Sequence, residues 1–585
     1  MNYDLKKLSS NEKTSIWQAI KSLWNLLAEE KKILIFALGA VIINSILNLI
    51  APRFIAHAVD TFIPAADYHG VLVYSGIILG IYTLALFTSY IQIRLMGGVG
   101  QRVLYRLRSQ IFNTLQSLPI AFFNQNKAGD LISRINNDTE KINLFFSQSL
   151  VQFFSNIFLM AGAAGFLLAF HVRLGAATLV PALILLIVTL ALSPWVKKKN
   201  IRSAQSLGNM SSEIQESLQN FKVIIAFNRR DYFKKRFQEV NNQNYIDSVG
   251  AGVANTTFIP LYGLASNVGQ LIVLSYGIAL IAAGQFTIGL LISFLFYANN
   301  FYNPLRHLAA LWANFQAALA SWERVYEIMR MENNLPMLAD GSMSENKALL
   351  ECKNVYFQYP DGKEVLRDIN LTLEKGKTYA LVGPTGGGKT TTASLMARLY
   401  DPTSGIIFLN GKDIRSFSNE DRAKKIGFIL QDPFLFTGTV RDNIIYGNSE
   451  YVSHTSDQLK DVLHAAGFQK VLERFDQGLE TKITSSGEGI SMGQKQLIAF
   501  IRAVLRNPEL LILDEATANI DTVTEQLLED ILKNLPSTTT KVIIAHRLNT
   551  IENADEIFFV NAGEVVQAGS MDHALEMLLH QNRKS

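Results

Sequence analysis

Six apolar runs crowd into the first 310 or so residues of a 585-residue chain, near 33–56, 71–93, 151–170, 176–192, 256–282 and 288–308. At ~1.5 Å of helix per residue most of them are long enough to cross a hydrocarbon layer of ~30 Å. One such run alone, the short 176–192 stretch above all, also suits a buried core helix. Six in succession predict six membrane crossings. The remaining 280 or so residues carry no comparable run, and mean hydropathy is only +0.16 although hydrophobic residues reach 49%. A membrane half averaged with a water-soluble half gives such a balance.

Charge supports the same division. Lys and Arg number 54 against 50 Asp and Glu, a net charge of +4, too mild to make nucleic acid the main partner. Lys6, Lys7, Lys13, Lys21, Lys31 and Lys32 precede the first run, whereas residues 60–69 contain neither Lys nor Arg, which predicts an inside N-terminus. Trp17, Ile20, Leu23, Trp24 and Leu27, set against Lys21, Glu29 and Glu30, read as an interfacial helix without the small-residue cleavage pattern of a signal peptide. The two inner connections are each about 55 residues long and helical in period. Punctuation at Pro119, Gly129 and Gly208 predicts paired helices reaching below the membrane with a short turn at each tip. Cys352 is the single cysteine, so no internal disulfide forms, and no Cys/His cluster has zinc-site spacing. A magnesium site built from oxygens remains open.

Beyond residue 331 a polar, turn-rich stretch leads into a segment where β-rich runs at 377–383, 426–430, 510–513 and 541–545 alternate with helical stretches. That alternation predicts a largely parallel sheet covered by helices. After the first of these strands stand Gly383, Pro384, Thr385, Gly386, Gly387, Gly388, Lys389 and Thr390 in a row, followed by Thr391 and a helical pattern. A strand, this glycine-rich turn and a helix make a phosphate-binding P-loop. Polyphosphate needs many close donors: glycines let backbone N–H groups and the helix end approach, Lys389 adds a cation, and Thr390 offers magnesium an oxygen. The 510–513 strand ends in Asp514 and Glu515, two carboxylates at the edge where open α/β sheets bind ligands. Asp514 is expected to hold magnesium and Glu515 to polarise the attacking water.

Gln431 in Ile-Leu-Gln-Asp-Pro-Phe-Leu-Phe, the run Ile490-Ser491-Met492-Gly493-Gln494, Asp521 and Ala545-His546-Arg547 stand in the order and spacing of the ATP-binding-cassette (ABC) family, which the whole chain resembles. Six crossings ahead of one cassette are similar to a half-transporter of the type IV exporter group, which includes multidrug exporters and lipid flippases. The resemblance implies an α-helical polytopic membrane domain of six transmembrane helices plus an α/β P-loop ATPase domain. The expected division is an N-terminal segment with the interfacial helix (1–32), a transmembrane domain (33–330), a linker (331–347) and a nucleotide-binding domain (348–585).

By resemblance the cofactors are ATP and Mg2+. Tyr359 would stack on adenine, Gln431 would sense magnesium and the attacking water, and His546 would contact the γ-phosphate. Thr391, Gly493, Gln494 and Asp521 join Gly383–Thr390 and Ser491 among the expected nucleotide contacts. Ser491 opens a helix whose N–H groups would face ATP held by a second subunit, since one chain has one P-loop and one signature. Residues 120–129 and about 214–227, with Phe122, Phe123 and Phe221, would be coupling helices that let the membrane arms rock as levers.

The family signature is usually Leu-Ser-Gly-Gly-Gln. Here Ile490 and Met492 depart from it, and Ser485, with Glu488 displaced, stands where an acidic residue is common. Met492 raises a heterodimer with one degenerate site as an alternative to a homodimer. The implied function is ATP-driven export of an amphipathic small molecule or lipid across the plasma (inner) membrane, with N-terminus and cassette cytoplasmic. An exporter-fold importer and an ATP-gated regulator or channel are the alternatives. Asn44, Asn48, Asn267, Gln270, Asn299 and Asn303, with Tyr297, Phe301 and Tyr302, either line the substrate path or bond neighbouring helices.

Overall fold

A computed structural model describes residues 3–5, 27–333, 335, 337–339, 341–360, 362–484, 489–514, 521–544, 553–569, 573 and 576. The chain divides into two compact units: residues 11–115 with 129–330, and residues 1–10 with 116–128 and 331–585.

The first unit is helical. Ala28–Phe62, Tyr68–Ser117, Ala128–Phe170, Val172–Gln219 and Arg230–Ala282 are long and apolar enough to cross a membrane. The sixth expected crossing falls within the helix Ile288–Met329, where Asn299, Asn300, Asn303 and Pro304 dilute the apolar stretch below that standard. This helix is tied to its neighbours by hydroxyls that donate to backbone carbonyls: Tyr297 to Leu49 at 2.8 Å, Ser293 to Pro52 at 2.6 Å and Tyr302 to Thr178 at 2.6 Å. Hydrocarbon offers a polar group no water, so it seeks a carbonyl on the next helix. The same reason accounts for several of the membrane polar residues. Asn44 donates to Ala85 O and Gln270 to Asn299 Oδ1, each on another helix, Asn48 donates to Asn44 O on its own helix, and Tyr297 and Tyr302 are buried among helices. Asn267 and Asn303 are the exposed members of that set.

Both expected tips are short helices, Ile120–Gln125 and Phe221–Ala226. The second is shorter than 214–227, because residues up to Gln219 continue the 48-residue helix Val172–Gln219. Pro119 starts the first tip in extended backbone, as a residue with fixed φ and no N–H does well at a helix entrance. The expected interfacial helix falls mostly on residues outside those described; its last part forms the short turn Ala28–Glu30.

The second unit contains twelve strands among its described residues. β1 (Leu350–Gln358), β2 (Glu364–Leu373), β4 (Ser404–Leu409) and β5 (Lys412–Asp413) form an antiparallel sheet in the order β2-β1-β4-β5. This sheet adds to the parallel one expected. β3 (Thr378–Val382), β6 (Ile426–Ile429), β9 (Leu510–Asp514), β10 (Thr540–Ile544), β11 (Glu556–Asn561) and β12 (Glu564–Gln567) form a six-stranded sheet in the order β12-β11-β3-β10-β9-β6. All its pairings are parallel except β11 with β12. β7 (Gly438–Thr439) pairs with β8 (Lys482–Ile483). β9 is buried at all five positions, as a central parallel strand covered on both faces must be.

Candidate functional site

The parallel sheet places the carboxyl ends of β3 and β9 on either side of β10. From β3 the chain turns through Gly383 to Gly388 into the helix Lys389–Met396. The turn needs its glycines for two reasons. Gly383 and Gly388 have φ of 143° and 116°, in the region that disfavours side chains, and a Cβ on Gly383 would stand 2.0 Å from Val560 O. A Cβ on Gly387 would meet the same carbonyl at 2.6 Å. The cradle is thus packed against the end of β11, while Thr385 and Gly386 stay exposed.

Lys389 is 5% exposed, and its ammonium curls over the loop to donate to Gly383 O at 2.9 Å and Pro384 O at 3.0 Å. Thr390 Oγ1 donates to Asp514 Oδ1 at 3.2 Å, so the two oxygens expected at magnesium converge. Tyr359 follows β1, and its hydroxyl lies 3.1 Å from Thr391 Oγ1, which joins the expected adenine platform to the P-loop helix. Phe357 and Tyr400 stand edge-on to its ring at 4.8 and 5.4 Å.

A second group gathers around the helix Met492–Val504. Ser491 Oγ accepts from Gln494 N–H at 3.2 Å while Gln494 Oε1 accepts from Ser491 N–H at 2.8 Å, a reciprocal cap that fixes the helix start. Gln494 Nε2 also donates to Arg474 O at 2.6 Å, and the Arg474 guanidinium lies 3.7 Å from Asp521. Asp521 caps the helix Thr522–Lys533, accepting from the hydroxyl and the N–H of Thr524, and these bonds hold its carboxyl below the ordinary range. Position 493 is tight: a Cβ there would stand 3.0 Å from Thr524 Oγ1 and 3.1 Å from Asp521 Oδ1, so these side chains would have to shift to admit it. Position 492 is different: Met492 is 40% exposed, so its side chain leaves the helix surface without displacing a neighbour.

Gln431 follows β6 and is exposed, and its carbonyl accepts from Gln496 Nε2 on the same helix at 3.3 Å. Arg502, near the far end of that helix, donates to Phe434 O at 3.0 Å and Asn443 O at 2.8 Å and sits over the Phe436 and Tyr446 rings. The Gln431 loop is therefore fastened to the signature helix at two points. Glu515, His546, Ser485 and Glu488 lie outside the described residues. Sequence reasoning did not single out Tyr400, Gln496 or Arg502. Tyr400 stands in Arg-Leu-Tyr-Asp-Pro just past the P-loop helix, but only its neighbours in space give that position meaning.

Comparison with known proteins agrees with this geometry. Residues 34–305 match the family model for the ABC transporter transmembrane region, and residues 366–518 match the model described as ABC transporter. An uncharacterized ABC transporter ATP-binding protein of Bacillus subtilis is 33% identical over 95% of this chain and 92% of its own length. A fatty acid ABC transporter ATP-binding/permease protein of Mycobacterium bovis is 33% identical over 84% of this chain and 77% of its own. A multidrug resistance ABC transporter ATP-binding and permease protein of Lactococcus lactis is 30% identical over 95% and 93%. With a membrane-spanning helical region and a P-loop cassette in one polypeptide, the chain belongs to the ABC transporter family as a half-transporter of exporter type. It is a multi-pass membrane protein that couples ATP hydrolysis to transport.

Proposed function

We propose that the chain exports amphipathic small molecules or lipids as one half of a dimer, by alternating access between two membrane domains. The observation that carries this reading is one P-loop cradle and one capped Ser491 helix start in the chain, which would be half of each of two composite ATP sites. ATP bound on Lys389 and its loop would be closed by Ser491, Gly493 and Gln494 of a second cassette. The names of the fatty acid and multidrug relatives support an amphipathic substrate. Basic residues in the inner connections, Arg94, Arg102, Arg106, Arg108, Lys127, Arg134 and Lys141 in the first and Lys197, Lys198, Lys199, Arg202, Arg229 and Arg230 in the second, support a cytoplasmic cassette at the inner membrane.

Magnesium fits the converging oxygens of Thr390 and Asp514, a hydroxyl and a carboxylate, and the Gln431 side-chain amide would be a third hard donor. When bound, it would neutralise the charge that develops between the β- and γ-phosphates. Glu515 would take the proton of the attacking water, His546 would hold the γ-phosphate, Tyr359 would stack on adenine, and Thr391 and Asp521 would complete the nucleotide contacts. Met492 at the exposed first position of the signature helix favours a second arrangement, a heterodimer in which this chain supplies the weaker signature and the intact P-loop half.

Glu515→Gln tests the catalytic assignment in purified protein. Expected are unchanged ATP affinity, turnover at least about 100-fold slower, and cassettes trapped closed. Unchanged hydrolysis would remove Glu515 from its role. A single subunit species on native mass analysis, fully active alone, would exclude the heterodimer.

A further inference from the structure

The first tip helix, Ile120–Gln125, is too short to hold its own conformation, since a helix of this length lacks the turns that offset nucleation. Something must fix it, and residues 3–5 do. Tyr3 is 1% exposed and stands edge-on to Phe122, itself fully buried, at 6.3 Å. Its backbone N–H donates to Gln125 Oε1 at 2.9 Å, and its carbonyl accepts from Asn126 Nδ2 at 2.8 Å. Asn126 Oδ1 accepts in turn from Leu5 N–H at 3.2 Å, and Leu5 is also 1% exposed. Asn126 is the hub: its amide also donates to Phe122 O at 2.8 Å, so one side chain ends the tip helix and grips the passing N-terminal segment. The Tyr3 hydroxyl reaches past the tip and donates to Glu332 O at 3.0 Å, just beyond the helix Ile288–Met329.

We propose that Tyr3–Leu5 is a clasp: a positioning element that fastens the first tip helix to the start of the cassette linker and makes the tip move with the cassette. Both ends of the bond set lie in the same compact unit as the cassette, whereas the arms Tyr68–Ser117 and Ala128–Phe170 enter and leave the tip through the chain itself. A tip held to the rest of the unit by the exposed Asn124–Tyr400 bond alone could pivot about it. Four part-buried hydrogen bonds of different direction and the buried Tyr3 ring oppose that, because each sliding path breaks at least one of them. With the clasp intact, a cassette displacement is handed to the arms. Without it, ATP is turned over while the arms stay still.

The inference rests on the reading of residues 120–125 as a coupling element, and the test separates the two. Full-length protein in lipid nanodiscs is compared with and without Mg-ATP and vanadate by hydrogen exchange, alongside ATPase assays. In the wild type, trapping is expected to change exchange along 68–117 and 128–170. Asn126→Ala and Tyr3→Ala are expected to keep ATP turnover within about twofold, to speed exchange of the tip amides about tenfold, and to cut the response of the arms at least about threefold. Tyr3→Phe keeps the ring on Phe122 and drops only the bond to Glu332, the tie to the linker, so it should fold and still cut the arm response about twofold; if the alanine variants fail to fold, a Tyr3→Phe protein whose arms respond like the wild type overturns the clasp. Variants whose arms respond to trapping like the wild type overturn the clasp and leave the coupling reading intact. A wild type whose arms do not respond overturns the coupling reading and the clasp with it.

Discussion

The Asn124 side-chain amide, on the first tip helix, donates a 2.7 Å hydrogen bond to the hydroxyl of Tyr400, whose ring stands edge-on to that of Tyr359. The platform proposed for adenine and the tip that leads into the membrane arms are thus one residue apart. Tyr400→Phe keeps the ring and removes one bond worth about 1 kcal/mol. It is expected to leave ATP affinity within about twofold of wild type and to loosen residues 120–125 in hydrogen exchange. Tyr359→Ala should weaken ATP binding roughly tenfold, the usual worth of one base stacked on an aromatic ring. Titration with a fluorescent ATP analogue distinguishes the two.

The cradle glycines are not equivalent. Gly383→Ala drives a Cβ into Val560 O in a conformation that already disfavours it, and should destabilise the cassette by about 3 kcal/mol. Gly386 also has positive φ, 81°, but nothing lies within 4 Å of its Cβ position. Gly386→Ala should cost about 1 kcal/mol, the strain alone. Thermal denaturation of the detergent-solubilised chain measures the difference.

Met492→Gly restores the usual signature residue at a solvent-exposed helix start. If this chain supplies a weakened half-site, ATP-driven cassette closure with a Glu515→Gln background should tighten by about tenfold. The folded stability should change little or fall slightly, since glycine costs about 1 kcal/mol inside a helix and less at its first turn. Crosslinking of paired cassettes against ATP concentration provides the readout.

Cys352 sits inside β1, 4% exposed, and burial pushes its thiol from an ordinary value near 9 up to about 12, with the Glu351 carboxylate adding to the shift. The unfolded chain therefore loses this proton first as pH rises. The corresponding stability is fully present below about 9 and is lost as pH climbs toward 12. At pH 8 the native thiol should react with iodoacetamide at least about 100-fold more slowly than in denaturant, which mass spectrometry of the Cys352 peptide measures.

Replacing Lys389 by Ala removes the cation that now bridges Gly383 O and Pro384 O. Nucleotide binding should fall by at least about 100-fold with the sheet core unchanged by circular dichroism. Preserved affinity would count against the P-loop assignment.

Much of this molecule could be read from the chain alone, because its strongest signals are local. A span of apolar residues declares a membrane helix by its own length, and β3, β6, β9 and β10 appear within a residue of their expected described ends because each is a short β-rich run bounded by turns. The P-loop belongs to the same class, since a strand, a glycine turn and a helix are consecutive in sequence. Contacts between distant residues are another matter. Nothing near Asn44 or Gln270 says that they bond a neighbouring helix and not a substrate, and the antiparallel sheet of β1, β2, β4 and β5 pairs strands whose partners are chosen by long-range packing. Likewise, Asn126 meets Tyr3 across 123 residues and Asn124 meets Tyr400 across 276. Hydropathy, turn chemistry and phosphate-binding spacing were the sequence's to determine. Which polar groups satisfy one another in the dry interior, and so which segments move together, was decided only when tertiary packing brought them within bonding distance.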